Sequence, residues 1–181
     1  GLQTLETPET AIGPSPAELG ELGHVILKVT YQELIDGGYF AGNGSHVAVD
    51  SIISAAAQKA FTEYEAENPI GYPLMWETVR ETLTQLIRDV VRRDLQELAS
   101  SGYVPVNLEI GIDDRLPPDW PEPLNTLAIH GRMDRIDVDP MDNRMRVVDY
   151  KFKFGAKPSA EDNDLSRSAL RAQRLQAPFY S

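Results

Sequence analysis

Apolar residues in the first part of the chain recur every three or four positions, a spacing that is typical of amphipathic helices. The first helix has a clear start signal, because Ser15 can cap it, Pro16 suits its first position and Glu18 can complete a capping box. In chain order, the pattern predicts a flexible lead-in over 1–14 and helices over 15–36, about 49–67 and about 74–100.

The spacing changes at Tyr103, after which apolar and polar residues alternate as they do in half-buried strands. The turn-forming sequence PMDN at 140–143 separates two alternating runs, so residues 131–151 are predicted to form a β-hairpin. The remaining predictions are a strand over 103–110, a polar loop over about 152–164 and a closing helix over 165–180.

Three helices, a group of strands and a closing helix predict an α/β (α+β) domain in which helices flank a small mixed β-sheet. Residues 15–102 would form its helical part, and residues 103–181 its sheet and the core around it. A chain of 181 residues is long enough to bury the core of one such domain. Because the closing helix has no C-cap and the sheet is small, we expect the chain to be part of a longer protein.

The predicted hairpin carries the residues that are best suited to chemistry. Asp149 and Lys151 are two positions apart in one strand, so their side chains point to the same face of the sheet. The neighbouring strand can bring Asp134 beside them. Two carboxylates and an ammonium group can form a site for a divalent metal ion and an activated water. For these three residues alone, cross-strand salt bridges are the alternative and the more common explanation.

The chain carries a formal net charge of −11, which argues against a general polyanion binder. The charge is uneven, since residues 144–181 hold eight basic and four acidic residues, and a basic surface near the hairpin is compatible with the acidic total. No apolar run approaches the ~20 residues that span a bilayer. The absence of cysteine excludes disulfides and thiolate ligands within the chain. These features predict a cytoplasmic protein with no membrane partner.

Five motifs resemble those of the RecB-like branch of the PD-(D/E)XK nuclease superfamily, which includes the nuclease domains of RecB and AddB. The similarity covers about residues 16–181. The matching patterns are G-x-x-x-H-x-x-L from Gly20 to Leu27, P-x-x-x-E from Pro105 to Glu109, G-R-x-D-R-x-D from Gly131 to Asp137, D-Y-K from Asp149 to Lys151, and Q-x-x-x-Y from Gln176 to Tyr180. Each motif is short, but their common order makes the similarity far more specific than any one of them.

The resemblance implies a restriction-endonuclease-like core and a metal-dependent DNA nuclease. His24, Asp134 and Asp149 would bind the metal, which would be Mg²⁺ or Mn²⁺, together with the backbone carbonyl of Tyr150. Lys151 would position or activate the attacking water. The implied partners are DNA and a helicase domain or subunit, and the implied role is that of an exonuclease in recombination or repair.

The resemblance also assigns three supporting residues. Gln176 and Tyr180, one turn apart on the predicted closing helix, would border the site and contact DNA or support Lys151. Glu109 would lie near the metal or hold a basic residue. All three are therefore included among the candidate catalytic residues.

Two features depart from the family pattern. Threonine and glycine commonly follow the lysine in the family, whereas Phe152 follows it here, so the adjoining loop is expected to differ. Some members hold an iron–sulfur cluster through cysteines, and we expect this chain, which has none, to hold no such cluster. Two alternatives stay open: an inactive nuclease-like module that binds DNA or a helicase, and a structural acidic domain, which would leave the order of the motifs unexplained.

Overall fold

The computed structural model describes residues 13–41, 48–111, 132–152, 154 and 170–177, and only the backbone of 110, 111, 132 and 170–177. The described helices are α1 (Pro16–Asp36), α2 (Val49–Glu67) and α3 (Pro73–Ser101), and a short 3₁₀ turn (Tyr39–Ala41) follows α1. The described strands are β1 (Val104–Gly111), β2 (Arg132–Asp139), β3 (Arg144–Phe152) and β4 (Leu170–Ala177). The predicted α/β (α+β) class is confirmed. Most of the predicted lead-in, most of the loop over 152–164 and Tyr180 lie outside the described residues.

The three helices begin and end close to the predicted positions, and capping residues mark the start of α1 and the end of α3. Ser15 Oγ accepts a hydrogen bond from the Glu18 N–H (3.3 Å), and the Ser15 N–H donates to the Glu18 carboxylate (2.7 Å). At the C-terminus of α3, Gly102 has a φ of 75°, the left-handed conformation that favours glycine. α2 has no side-chain cap at its start, so its apolar spacing alone located it correctly.

One apolar core joins the helices to the sheet. Its fully buried aliphatic members come from α1, α2, α3 and β3: Ile26, Leu34, Ile53, Ile87, Val91 and Val148. Burying a side chain of this size contributes about 1.5–3 kcal/mol, so this core fixes α1 firmly against the sheet. None of the helices in the described part of the chain is long and apolar enough to cross a membrane.

The described strands form one sheet in sequence order, and each neighbouring pair is antiparallel. The predicted hairpin is confirmed, since β2 and β3 pair from Asp139↔Arg144 to Arg135↔Val148 around the PMDN turn. A mixed sheet was expected, but no parallel pairing occurs among the described strands. β1 lies at one edge of this sheet, where Pro105 is tolerated without a backbone N–H and a bulge precedes Asn107.

The closing helix predicted over 165–180 is wrong for residues 170–177, which form β4 instead. The sequence LRAQRLQA is rich in good helix formers, and this composition favoured the helix. In the structure the segment pairs with β3 along its whole length, from Phe152↔Leu170 to Met145↔Ala177. Pairing satisfies the backbone groups along the β3 edge, and this outweighs helix-propensity differences of at most ~0.7 kcal/mol per residue.

Asp139 closes the hairpin turn and gives the fold an acid-sensitive contact. Its carboxylate accepts hydrogen bonds from Arg144 Nη2 (2.9 Å) and from the backbone N–H groups of Met141 (3.0 Å) and Asp142 (3.3 Å). The hydrogen bond from Arg144, supported by those two N–H groups, lowers the pKa of Asp139 below its ordinary value of 3.8. The contribution to stability is therefore present above about pH 4 and lost as the pH falls through the lowered pKa.

Asp139→Asn is accordingly expected to lower the unfolding temperature by a few degrees at pH 7, because the neutral amide loses the charge-assisted hydrogen bonds. The difference from the wild type should shrink as the pH falls below about 4 and through the lowered pKa of Asp139, where the wild-type carboxylate takes up its proton. Thermal unfolding followed by circular dichroism across this range measures both effects. Asp142→Asn, on the exposed side of the same turn, is the control, and an equal loss in both variants would contradict the prediction.

Candidate active site

β2 and β3 separate at one end of the hairpin, and this fork places Asp134. Their ladder ends at Arg135↔Val148, although β2 continues beside β1 to Arg132 and β3 continues beside β4 to Phe152. Beyond that point the Tyr150 N–H donates a hydrogen bond to the side chain of Asp134, at Oδ2 (2.6 Å). This hydrogen bond joins β3 to a side chain of β2, and it holds the Asp134 carboxylate in the opening between the two strands.

Asp149 and Lys151 lie on β3 beside this fork. Their side chains share one face, as the alternation of the strand requires, and Lys151 Nζ lies 3.3 Å from Asp149 Oδ2. Both side chains are exposed, Lys151 to 52% and Asp149 to 39%. An exposed ion pair of this kind contributes little to stability, so either partner can exchange it for another charged group at small cost.

Glu109 brings a third carboxylate to the same level of the sheet. It lies in β1 between the paired positions Leu108↔Arg135 and Ile110↔Met133, which sets it beside Asp134 on the neighbouring strand. Its φ of 48° is in the left-handed region, which costs a residue other than glycine about 1–3 kcal/mol. Strain of this size persists only where surrounding contacts enforce it, and it is common at functional sites.

α1 covers the fork and supplies two nitrogen-bearing side chains. His24 and Lys28 are one turn apart, so they lie on the same face of the helix. His24 Nδ1 is 3.3 Å from Asp134 Oδ1, and Lys28 Nζ donates a hydrogen bond to Glu109 Oε2. This face points to the sheet because the next residues towards the core, Leu27 and Tyr31, are buried.

His24 and the three carboxylates line one cleft of about 440 Å³. Its lining residues are Glu21, His24, Val25, Glu109, Asp134 and Asp149. Residues from four of the five sequence motifs thus meet at one place. Sequence reasoning missed Glu21 and Lys28 as neighbours of the site. Their spacing from His24, three residues before it and four after it, was the available signal. The abundance of carboxylates favours a cation in the cleft.

A buried ionic network lies behind the fork. Arg135 is fully buried and makes hydrogen bonds to both oxygens of Asp137 (2.7 and 3.0 Å), to Asp94 Oδ2 (2.6 Å) and to the Tyr150 hydroxyl (2.6 Å). Asp137, also fully buried, accepts a further hydrogen bond from Arg146 Nε (2.7 Å). The network ties α3 to β2 and β3, so it fixes the strands that carry the carboxylates.

Two groups of this network have strongly shifted pKa values. Burial lowers the pKa of Arg135, but the oxygens of Tyr150, Tyr31, Asp94 and Asp137 outweigh this effect and raise the pKa well above its ordinary value. Burial raises the pKa of Tyr150 far above that of an exposed tyrosine, although the Arg135 charge acts in the opposite direction. Arg135 therefore stays charged and Tyr150 stays neutral throughout the range in which proteins are folded.

The structure does not bring Gln176 to this cleft. Gln176 lies in β4 opposite Arg146, whereas the β4 positions opposite Asp149 and Lys151 are Gln173 and Arg171. Its placement beside the site depended on the closing helix, which is wrong over these residues. Its predicted partner Tyr180 lies outside the described residues.

The donor atoms at the fork fit a divalent cation. The 3.3 Å between His24 Nδ1 and Asp134 Oδ1 is close to the ~3 Å between adjacent ligands of an octahedral ion with bonds of ~2.1 Å. Carboxylate oxygens suit Mg²⁺ and Mn²⁺, and imidazole binds first-row transition ions. Within the described residues no three such side chains are already gathered around one point. Asp149 would therefore have to exchange its ion pair with Lys151 for the metal.

Two carboxylates and a lysine thus lie at the strand fork, with a histidine from the covering helix beside one of the carboxylates. The family model of the PD-(D/E)XK nuclease superfamily matches residues 2–181, and the chain belongs to this superfamily. Its helices and antiparallel sheet are consistent with the restriction-endonuclease-like fold. Superfamily members usually catalyse metal-dependent cleavage of nucleic acids, so membership indicates a nuclease with DNA as its substrate class. No curated protein and no solved structure matches the chain.

Proposed function

We propose that this domain is a metal-dependent DNA nuclease of the RecB-like type that hydrolyses phosphodiester bonds. One observation carries the proposal: Asp134, Asp149 and Lys151 meet at the fork between β2 and β3, with His24 of α1 next to Asp134. Membership of the superfamily supports the reaction class. The order of the sequence motifs supports the RecB-like branch.

His24, Asp134 and Asp149, with the Tyr150 carbonyl, would hold the metal ion. When bound, the ion lowers the pKa of a coordinated water and stabilises negative charge on the phosphate. The Tyr150 N–H orients Asp134 by fixing one carboxylate oxygen, which leaves the other turned to His24. The carboxylate that binds the ion is thus held in place before the ion arrives.

Lys151 would act on the phosphate and the attacking water. Its ammonium group is exposed and only loosely held by Asp149, so it can turn to a phosphate oxygen or orient the water by hydrogen bonding. Glu109, held by Lys28, adds negative charge on the other side of the cleft. Lys151 and Glu109 would thus act from two different strands, β3 and β1.

We further infer that the domain acts as an exonuclease in DNA recombination or repair, beside a helicase domain or subunit in the cytoplasm. Support for this role and for the helicase comes from the RecB-like motifs. Mg²⁺ or Mn²⁺ is the expected metal, and His24 among the ligands favours Mn²⁺ for the stronger binding of the two.

Purified protein is expected to degrade end-labelled linear DNA in Mg²⁺ or Mn²⁺ and to leave covalently closed circular DNA intact. Without the ion the water is not activated and the phosphate charge is not stabilised, so EDTA should abolish the reaction and added Mn²⁺ should restore it. Gel electrophoresis of timed samples measures both. Cleavage that persists in EDTA would refute the metal dependence, and cutting of the circle would refute the exonuclease assignment.

The alternative is a nuclease-like module that binds DNA or a helicase without cutting. The ion pair between Lys151 and Asp149 favours it, because both side chains are then engaged with each other instead of with metal and phosphate. Titration with Mn²⁺, followed by calorimetry, separates the two. Binding that is lost in Asp134→Ala supports the nuclease, whereas DNA binding without any metal binding supports the module.

A further inference from the structure

Phe152 follows Lys151 and packs against α1 at a place where only glycine leaves room for it. A Cβ atom added to Gly23 would lie within 2.8 Å of the ring atoms Cζ, Cε1 and Cε2 of Phe152. A Cβ atom added to Gly20, one turn earlier, would lie 3.9 Å from the Phe152 Cβ, an ordinary contact. The close approach of helix and ring therefore depends on Gly23 in particular.

The ring seated at Gly23 contacts the next residue of the helix. The rings of Phe152 and His24 are 5.2 Å apart between centroids and inclined by 71°, an edge-to-face arrangement that aromatic rings favour. Phe152 also stacks on Phe154, with centroids 5.8 Å apart and planes inclined by 8°. Phe152 thus contacts the surface of α1 at Gly23, a second aromatic ring and the imidazole of His24.

This contact acts on a side chain that would otherwise have freedom to turn. The His24 side chain is 32% exposed, and its contact with Asp134 is a single long one of 3.3 Å. The Phe152 ring fills space beside the imidazole, so it reduces the number of orientations open to His24. An imidazole kept towards Asp134 needs less reorganisation when a cation binds between the two.

We propose that Phe152 is a positioning residue, which holds the His24 imidazole towards Asp134 and so raises the affinity of the site for a divalent cation. Gly23 is the residue that makes this possible. The effect on affinity rests on the proposed metal-dependent function, whereas the effect on His24 can be measured in the metal-free protein.

The first test measures the side-chain rotamers of His24 by NMR without metal. Hα–Hβ couplings are expected to show one χ1 rotamer in the wild type and in Phe152→Tyr, which retains the ring. They should be averaged in Phe152→Leu, which lacks it. His24→Gln assigns the resonances. Phe40→Leu, which makes the same change in the aromatic pair after α1, should leave His24 in one rotamer.

The second test measures Mn²⁺ affinity by calorimetry. Phe152→Leu is expected to weaken binding by about 10-fold or more, as loss of a group that orients a metal ligand commonly does. Phe152→Tyr and Phe40→Leu should stay within about twofold of the wild type. Gly23→Ala should also weaken binding, because its methyl group displaces the ring. In the Phe152→Leu background Gly23→Ala should have little further effect, since the two act through one contact.

The rotamer and affinity measurements together can overturn the role of Phe152. A single His24 rotamer in Phe152→Leu, together with unchanged Mn²⁺ affinity, would overturn the proposal. So would equal losses of affinity in Phe152→Leu and Phe40→Leu, because these would reflect general loss of stability, which thermal unfolding records in parallel. If the wild type bound no Mn²⁺, the proposed nuclease function would fail, and the rotamer measurement alone would decide the role of Phe152.

Discussion

Asp149→Ala and Lys151→Ala are each expected to lower Mg²⁺- or Mn²⁺-dependent DNA cleavage by about 10³-fold or more. A bound cation contributes several kcal/mol of charge stabilisation to the transition state, and each ~1.4 kcal/mol corresponds to a factor of ten in rate. Asp149→Ala would remove a proposed metal ligand, and Lys151→Ala would remove the ammonium group that is proposed to act on the phosphate and the attacking water. Because both side chains are exposed and share only a 3.3 Å ion pair, neither change should unfold the protein.

The two variants should also differ from each other in a way that separates their roles. Asp149→Ala should weaken Mn²⁺ binding in calorimetry, whereas Lys151→Ala should retain or strengthen it, because Asp149 is released from its ion pair. Asp142→Ala at the far end of the hairpin and Lys59→Ala on α2 are matched controls and should cleave like the wild type. Full activity in either Asp149→Ala or Lys151→Ala would refute the assignment of the site.

The helices could be predicted closely because their signals are local. Ser15 and Glu18 form the predicted capping box, and Gly102 has the left-handed conformation that ends α3. The hairpin could be predicted equally well, because the turn-forming sequence PMDN at 140–143 separates two runs of alternating apolar and polar residues. In each case a few neighbouring residues decide the structure, and no distant part of the chain competes with them.

The strand β4 could not be predicted in this way. Its residues favour a helix by intrinsic propensity, and only pairing with the edge of β3, whose partner residues lie 18 to 32 positions earlier, turns them into a strand. With the helix gone, the geometric reason for placing Gln176 beside the site is lost, since its backbone pairs with Arg146 and not with Asp149. Non-local strand pairing outweighs intrinsic helix propensity when it satisfies a whole row of backbone groups.

Part of the candidate active site could also be predicted from the sequence. Alternation along β3 predicts that Asp149 and Lys151 share a face, and they do. The fork that lets Asp134 accept the Tyr150 N–H has no local signal, because it depends on β1 and β4 continuing where the β2–β3 ladder stops. The contacts of α1 likewise required the packed core, which sets His24 beside Asp134.

Asp137→Ala is expected to destabilise the fold by about 3–5 kcal/mol, the usual cost of breaking a buried ion pair from one side. Asp137 is fully buried and accepts hydrogen bonds from Arg135 and Arg146, both of which are also buried. Without the Asp137 carboxylate, the two guanidinium groups have too little compensating negative charge. Because they are buried, water cannot solvate them in its place. Urea unfolding measures the change in the free energy of unfolding.

Asp142→Ala is the matched control on the same hairpin, because its ion pair with Arg144 is exposed and should contribute at most about 1 kcal/mol. Equal losses in the two variants would contradict a structural role for the buried network. Asp137→Ala should also weaken Mn²⁺ binding, since Arg135 holds the Tyr150 hydroxyl and the Tyr150 N–H holds Asp134. Stability and metal affinity would then be linked through Tyr150, which joins the core of the domain to its candidate active site.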